Sequence, residues 1–288
     1  MKIVIIQEAG RHQENKNFRE SLCLHNAFSK IDGVESKVWG LNYQDFSTPF
    51  SEIEKWTDVI FVIENYTSGW LPIDEISNSK KIKVFWSIDS HCVLQQHQQL
   101  CSLLKIDILL NSTEGYIPDF ENLVKESYWF PNSYPDDLMY SLDIEKSVDV
   151  GFCGNVLNRG HVIDSLEKYG IKKDIFVIGD SMVRVINSYK IHINCNISDD
   201  INYRTFETTG CGTFLITNYT PGLEKLFDIG KEIVVYESIE DLDSKVKYYL
   251  ENEEEREKIA KAGYEKSVKN HTYYERCKMF INIIKNKI

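Results

Sequence analysis

The sequence predicts an α/β protein of two Rossmann-like domains, each a parallel sheet with helices on its faces. Three observations support this. Short Val/Ile-rich runs alternate with helix-period segments from Lys2 to Leu110, the pattern of parallel strands joined by helical crossovers. Several runs, such as Lys2-Ile-Val-Ile-Ile6 and Asp58-Val-Ile-Phe-Val-Ile63, lack polar alternation, as expected of strands covered on both faces. The alternation stops between Ser127 and Lys146 and restarts at Val148-Asp-Val-Gly-Phe-Cys-Gly154, so a second sheet begins there.

In the first half, strands are expected at Lys2–Ile6, Glu35–Trp39, Asp58–Ile63, Lys83–Ile88 and Asp107–Leu110. Helices are expected at Phe18–Ile31, Phe50–Trp56, Ile73–Asn78 and His91–Leu104. Ligands of such sheets bind beyond the carboxyl ends of the strands. The loop after the first strand, Gln7 to Asn15, is longer than a linker needs. Its Arg11 and His12 are either ligand contacts or solvated surface. The loop after the third strand carries Tyr66 and Trp70, suited to stacking on a sugar face or to covering a helix end. The loop after the fourth reads Trp86-Ser-Ile-Asp89-Ser-His91. A carboxylate and an imidazole two residues apart can take a proton from a hydroxyl near neutral pH, with His91 as base oriented by Asp89, or with Asp89 as the base. The competing reading makes Asp89 or Ser90 the N-cap of the following helix. Pro131 and Pro135 stand in the break, which divides the chain into domains 1–135 and 136–288.

The second half opens with the strand from Val148 and a helix running to about Tyr169. Strand Ile175–Ile178, helix Met182–Tyr189 and strand Ile191–Asn196 follow. Gly151 and Gly154 permit close backbone approach, and Arg159 can reach a diphosphate. The turn is not the G-x-G-x-x-G fingerprint, which argues against a dinucleotide. From Asp199 to Asn218 the sequence reads as a loop, a short helix opening near Asn202, a turn at Gly210-Cys-Gly212 and a buried strand, Thr213–Thr217. A helix opening offers unpaired N–H groups to an anion. Arg204 stands in its first turn, and Glu207, one turn on, can accept a sugar diol. Phosphate plus ribose is a nucleotide; the plainer reading is a solvated Arg and Glu on an amphipathic helix. Beyond it, Pro221 is expected to open a helix to Phe227. Strand Glu232–Tyr236 and helices Ile239–Leu250, Glu253–Ser267 and Tyr273–Ile284 complete the chain.

Arg204-Thr-Phe-Glu207-Thr-Thr-Gly-Cys-Gly-Thr-Phe-Leu-Ile-Thr217 resembles the signature of the CgeB-like glycosyltransferases, within the GT-B superfamily and related to the group 1 glycosyl transferases. Pro221-Gly-Leu-Glu-Lys-Leu-Phe, Lys231-Glu-Ile-Val-Val-Tyr and His271-Thr-Tyr-Tyr-Glu-Arg276 match as well. The resemblance covers about Val148 to Phe280. It implies a GT-B fold, with two domains facing across a cleft and a last helix returning to the first. It also implies a nucleotide-sugar donor such as a UDP-sugar and a hydroxyl-bearing acceptor. Glu207 would hold the ribose, and Arg204 and Arg159 the diphosphate, with the amides near Asn202 and Tyr203. The Gly154-Asn155 turn would lie against the phosphates and Gly179 beside the nucleobase. Asp199 stands where many GT-B enzymes have the first Glu of Glu-x7-Glu, which leaves its role open. Arg11, His12, Tyr66 and Trp70 would line the acceptor side, and similar Asp-x-His segments in relatives favour Asp89 and His91 as the base. Two further readings are a phage-type DNA-modifying glycosyltransferase and a catalytically silent nucleotide-binding structural protein.

The totals fit this picture. The 288 residues are 42% hydrophobic and 27% charged, with a net charge of −11. An acidic chain argues against a nucleic-acid partner, which needs a basic stripe. Seven scattered cysteines, none as C-x-x-C, point to reduced thiols in a cytoplasmic protein. No apolar run approaches the length of a membrane helix, and Met1 leads into a strand rather than a signal peptide. No cofactor and no metal site are expected. Asp241-Leu-Asp243 reads as the charged opening of a helix, and His97 as part of a polar helix face.

Overall fold

A computed structural model describes residues 1–65 and 67–287 of the chain. The chain divides into two compact units, Met1–Pro131 with Tyr273–Ile288, and Asn132–Thr272.

The first unit is a six-stranded, all-parallel sheet in the order β2-β1-β3-β4-β5-β6. Its strands are β1 (Lys2–Ile6), β2 (Glu35–Trp39), β3 (Val59–Ile63), β4 (Ile82–Ser87), β5 (Ile108–Asn111) and β6 (Glu126–Trp129). Its helices are α1 (Glu20–Phe28), α2 (Phe50–Trp56), α3 (Ile73–Asn78) and α4 (Ser90–Leu104). Every residue of β3 is buried, which is why its sequence shows no alternation. Strand β6 lies inside the stretch that reads as a broken pattern. It is a half-buried edge strand of four residues, too short and too polar to stand out. Residues 13–18, expected as loop and helix start, form a 3-10 segment before α1.

The second unit is a five-stranded parallel sheet in the order β11-β10-β9-β7-β8. Its strands are β7 (Val148–Gly154), β8 (Lys172–Ile175), β9 (Tyr189–Asn194), β10 (Phe214–Asn218) and β11 (Val234–Tyr236). Its helices are α5 (Gly160–Asp164), α6 (Gly179–Ser188), α7 (Tyr203–Gly210), α8 (Leu223–Leu226), α9 (Ile239–Glu251) and α10 (Glu253–Asn270). The expected strand at Ile175–Ile178 is displaced to Lys172–Ile175. As an edge strand β8 tolerates the polar Lys172-Lys-Asp174, and Phe176, at φ 56°, ends it. Gly179 therefore begins α6 instead of closing a strand. The helix expected from Pro221 shrinks to the single turn of α8, because Gly222 at φ 91° holds its N-cap. The chain enters this unit and leaves it side by side, with Tyr134 paired to Thr272.

The last helix, α11 (Tyr273–Ile284), belongs to the first unit. Its Phe280 ring packs 5.5 Å from Phe28 and 4.6 Å from Phe61, and Arg276 Nε donates to the Pro131 carbonyl at 2.7 Å. Among the described residues no helix is long and apolar enough to cross a membrane. All seven cysteines are free thiols, six of them buried.

Candidate functional site

Strands β7 and β9 are neighbours whose outgoing connections leave in opposite directions: β7 leads to β8 on one side, β9 to β10 on the other. Such a switch point opens a crevice at the carboxyl ends of the two strands. A recess of about 250 Å³ lies there, lined by Cys153, Gly154, Asn155 and Arg159 at and beyond the end of β7, and by Asn194, Asn202, Tyr203 and Arg204 at and beyond the end of β9.

Helix α7 is poor in strong helix formers, with Thr205, Thr208 and Thr209 in eight residues, so packing has to hold it. Phe206 stacks 5.4 Å from the His271 ring. Thr209 Oγ1 bonds Ser267 Oγ on α10 at 2.6 Å. The C-terminus closes in a Schellman pattern: Thr213 N–H donates to Thr208 O and Gly212 N–H to Thr209 O, with Gly212 at φ 69°. At the N-terminus, Asn202 is the cap but lends no side-chain bond to the helix. Its amide instead donates to Asn194 Oδ1 at 3.1 Å, and its backbone N–H donates to Asn196 Oδ1 at 3.1 Å. Asn202, Tyr203 and Arg204, at this helix opening, all line the recess.

Arg204 is anchored from two sides. Its Nε donates to the Cys153 carbonyl at 2.9 Å, and its Nη1 pairs with Glu207 Oε2. Burial pulls the guanidinium's pKa down, but the Glu207 carboxylate and the nearby Cys153 outweigh it and leave it above the ordinary value. Glu207 is 7% exposed, and its Oε1 has no partner among the described residues. Arg159 Nε donates to the Cys195 carbonyl at 2.7 Å, and its Nη1 to the Asn155 carbonyl at 3.2 Å. Gly154, at φ 155°, occupies backbone space reserved for glycine. Gly151 has another purpose: a Cβ there would fall 2.3 Å from the Tyr189 ring. Its missing side chain makes room for packing between β7 and β9, not for a ligand.

Beneath the recess lies a buried polar frame that the sequence reading did not single out. His192 is fully buried. Its Nε2 accepts from the Cys153 N–H at 3.2 Å, so the ring proton is on Nδ1, which donates to Thr208 Oγ1 at 2.6 Å. Burial, reinforced by Arg204, drops its pKa to about 3, so the ring is neutral. Both polar groups of the Cys153 peptide are thus taken, one by His192 and one by Arg204. Asn194, Asn196, Asn218, Thr205, Thr217 and Thr220 form a second network that fixes the loop between β9 and α7. The signal was present in Ile193-Asn-Cys-Asn196: amides at the end of an apolar strand have to be satisfied from within.

The other expected donor-side residues stand apart. Asp199 is exposed in the turn before α7, next to Ser198 at φ 55°, and Gly179 lies in α6; neither lines the recess, and buried Glu207 is linked to it only through its pair with Arg204.

In the first unit the corresponding switch point lies between β1 and β3. Arg11 and His12 are exposed on the loop after β1, His12 at the N-cap of the 3-10 segment. Trp70 packs against Trp39 and Phe46, at 6.0 and 5.6 Å between ring centroids, so its half-buried ring covers the edge of the core. Tyr66 lies outside the described residues. Asp89 is exposed at the N-cap of α4, in the left-handed region at φ 51°, with no side-chain cap bond. His91, in the first turn of α4, keeps a buried Nδ1 with no partner among the described residues. Ser90, between them, is fully buried and bonds Ser87 Oγ at 2.7 Å; Ser87 Oγ in turn meets His97 Nδ1 at 2.8 Å. This chain pins the loop that carries Asp89.

Residues 148–282 match the family model described as glycosyl transferase-like. No curated protein matches the sequence. Among solved structures, sucrose-phosphate synthase from Thermosynechococcus elongatus is similar with a TM-score of 0.69 at 10% identity, covering 99% of this chain and 98% of that one. Anabaena HepE in complex with UDP has a TM-score of 0.68 at 10% identity, covering 99% and 100%. T4 phage BGT in complex with UDP and Mn2+ has a TM-score of 0.68 at 13% identity, covering 99% of each chain. The fold is that of the GT-B glycosyltransferases, two parallel-sheet Rossmann-like domains.

Proposed function

We propose that this chain transfers a sugar from a nucleotide-diphosphate donor to a hydroxyl acceptor, with a UDP-sugar as the donor favoured by the UDP and UDP-glucose complexes of HepE. One observation carries the reading: two guanidinium groups, a glycine with ligand-permissive backbone and the opening turn of α7 converge on one recess at the β7/β9 switch point. That set fits a diphosphate. Arg204 and Arg159 neutralise the charge that develops as the diphosphate departs, and the first-turn amides add the positive end of the helix. Departure of the leaving group then needs no divalent ion. Glu207, its Oε2 held by Arg204, offers Oε1 to the ribose diol. On the acceptor side, Asp89 or His91 takes the hydroxyl proton as the oxygen attacks the anomeric carbon. The family match over residues 148–282 supports the donor half of this reading.

The test is a thermal-shift and donor-hydrolysis screen against UDP-, GDP-, dTDP- and CMP-sugars, with and without EDTA, alongside Glu207→Gln. One donor should stabilise the protein, with or without EDTA, and the variant should lose most of that shift. A folded protein that responds to no donor refutes the reading.

A further inference from the structure

A concentration of positive charge lies in the first unit, at the amino-terminal edge of its sheet, the opposite end from Asp89 and His91. A cavity of about 660 Å³ opens there, between the ends of α3 and α4 and the starts of β4, β5 and β6. Five lysines line it, Lys80, Lys81, Lys83, Lys105 and Lys125, against a single carboxylate, Asp107. The lining thus carries four net positive charges in a chain whose total is −11. The one acid is already committed. Asp107 accepts from the Lys83 backbone N–H at 2.9 Å and pairs with Lys125 Nζ at 2.7 Å. Burial raises its pKa, but these partners more than offset that and leave it lowered, so it stays ionised. Lys83 is 6% exposed, and its Nζ donates to the Ser79 carbonyl at 3.1 Å. The side chains of Lys80, Lys81 and Lys105 have no acidic partner among the described residues. The dipole of α4 accounts for Lys105 at its C-cap. It does not account for Lys80 and Lys81 on the opposite wall.

We propose that this cavity is a binding site for a multiply charged phosphate group. Three ammonium groups without an acidic partner line one concavity, where an anion could pair with them together. The Asn78 and Asn122 amides in the lining add donors of the kind that complete a phosphate's shell, while the Ser77 and Ser102 hydroxyls already donate to the Asp74 and Gln98 carbonyls. The concave shape and the volume suit a compact oxyanion on a small molecule or on a lipid headgroup. A flat basic face for a polymer would look different. The site is independent of the donor recess and does not rest on the function proposed above.

The test uses the full chain and two probes. Inorganic pyrophosphate is titrated calorimetrically at low ionic strength into the wild type, Lys81→Glu/Lys105→Glu and Arg204→Ala. Binding should weaken about tenfold or more in the lysine variant, the size of one or two charge-assisted hydrogen bonds. A component of the binding should survive in Arg204→Ala, which separates this site from the donor recess. Sedimentation with phosphatidylglycerol vesicles against phosphatidylcholine vesicles then distinguishes the sources. Lysine-dependent capture by the anionic vesicles alone assigns a headgroup, and pyrophosphate binding without capture assigns a soluble phosphate. Either supports the site. No lysine-dependent binding of pyrophosphate or of anionic vesicles overturns it, provided the variant melts as the wild type does.

Discussion

The two units share a topology and differ in the chemistry they place at the same point. Each sheet has a switch between neighbouring strands, β1/β3 in the first and β7/β9 in the second. At β7/β9 the crevice is lined by Arg159, Arg204 and a glycine turn, and the polar groups of the frame are tied to backbone, leaving a recess. At β1/β3 the loops are filled by their own side chains. Gln7 donates to Glu20 and to the Glu64 carbonyl, Asn65 accepts from the Glu8 N–H, and Thr67 donates to Glu8. The Glu8 and Glu20 carboxylates take part there, Glu20 also paired with Arg19, where the other unit lines its crevice with two arginines. Topology sets where a ligand can bind, and the side chains decide which charge is welcome.

The largest expected effect breaks the basic side of this contrast. Arg204→Ala leaves Glu207 buried without its partner and the Cys153 carbonyl without its donor. It should destabilise the protein by about 3–5 kcal/mol and abolish the response to UDP-sugars. Arg19→Ala at the other switch point removes a guanidinium that pairs with Glu20 at 3.2 Å, and should leave nucleotide binding intact. Equal loss of nucleotide response in both variants would show that the recess is not the donor site.

The next effect concerns turnover and sharpens the division of labour. Asp89→Asn and His91→Gln sit on a loop held by Ser87, Ser90 and His97. The one that removes the base should lower kcat about a hundredfold or more with the donor Kd unchanged. A parallel loss of donor affinity would make that residue part of binding, not proton transfer.

A smaller effect tests the packing beneath the recess. Gly151→Ala would place a methyl group 2.3 Å from the Tyr189 ring, whose hydroxyl donates to Asp174 at 2.5 Å. Overpacking of this kind costs about 1–3 kcal/mol and should show as a lower Tm, with a weaker effect on donor affinity. A wild-type Tm would mean that the ring moves freely and that Gly151 does not serve β7/β9 packing.

Much of this contrast was legible in the sequence because the second unit writes its site locally. Asn202, Tyr203, Arg204 and Glu207 lie within one helix and its cap, so helix periodicity alone puts them together. Arg159 joined them through the rule that ligands sit beyond strand ends, which needs only the strand assignment. What was not legible came through tertiary contact. Trp70 reads as a loop aromatic until Trp39 and Phe46 are seen to cover it. Gly151 reads like Gly154 until the Tyr189 ring appears beside it. The edge strands β6 and β8 carry too little apolar pattern to be placed, since half of each faces water. His192 was invisible because a lone histidine in an apolar strand carries no signal until both ring nitrogens find partners.

That histidine has a counterpart in the first unit, and the pair allows the finest comparison. His192 and His97 are both buried and neutral, with pKa values lowered by desolvation to about 3 and about 4. Above the unfolded value of 6.5 neither state binds the proton and stability is unaffected. Below it the unfolded chain takes up a proton that the folded chain refuses. Stability therefore falls with pH by about 1.4 kcal/mol per unit for each histidine. The fall ends near pH 4 for His97 and near pH 3 for His192, where the folded forms protonate too. Denaturant unfolding measured from pH 7.5 down to 3 should show this acid limb. His97→Gln and His192→Gln should each flatten it by one histidine's share down to pH 4, and below that only His192→Gln should go on doing so. An acid limb unchanged in the His192 variant would mean that the ring already carries a proton in the fold. In that case Nε2 could not be accepting the Cys153 N–H, and the frame beneath the recess would have to be redrawn.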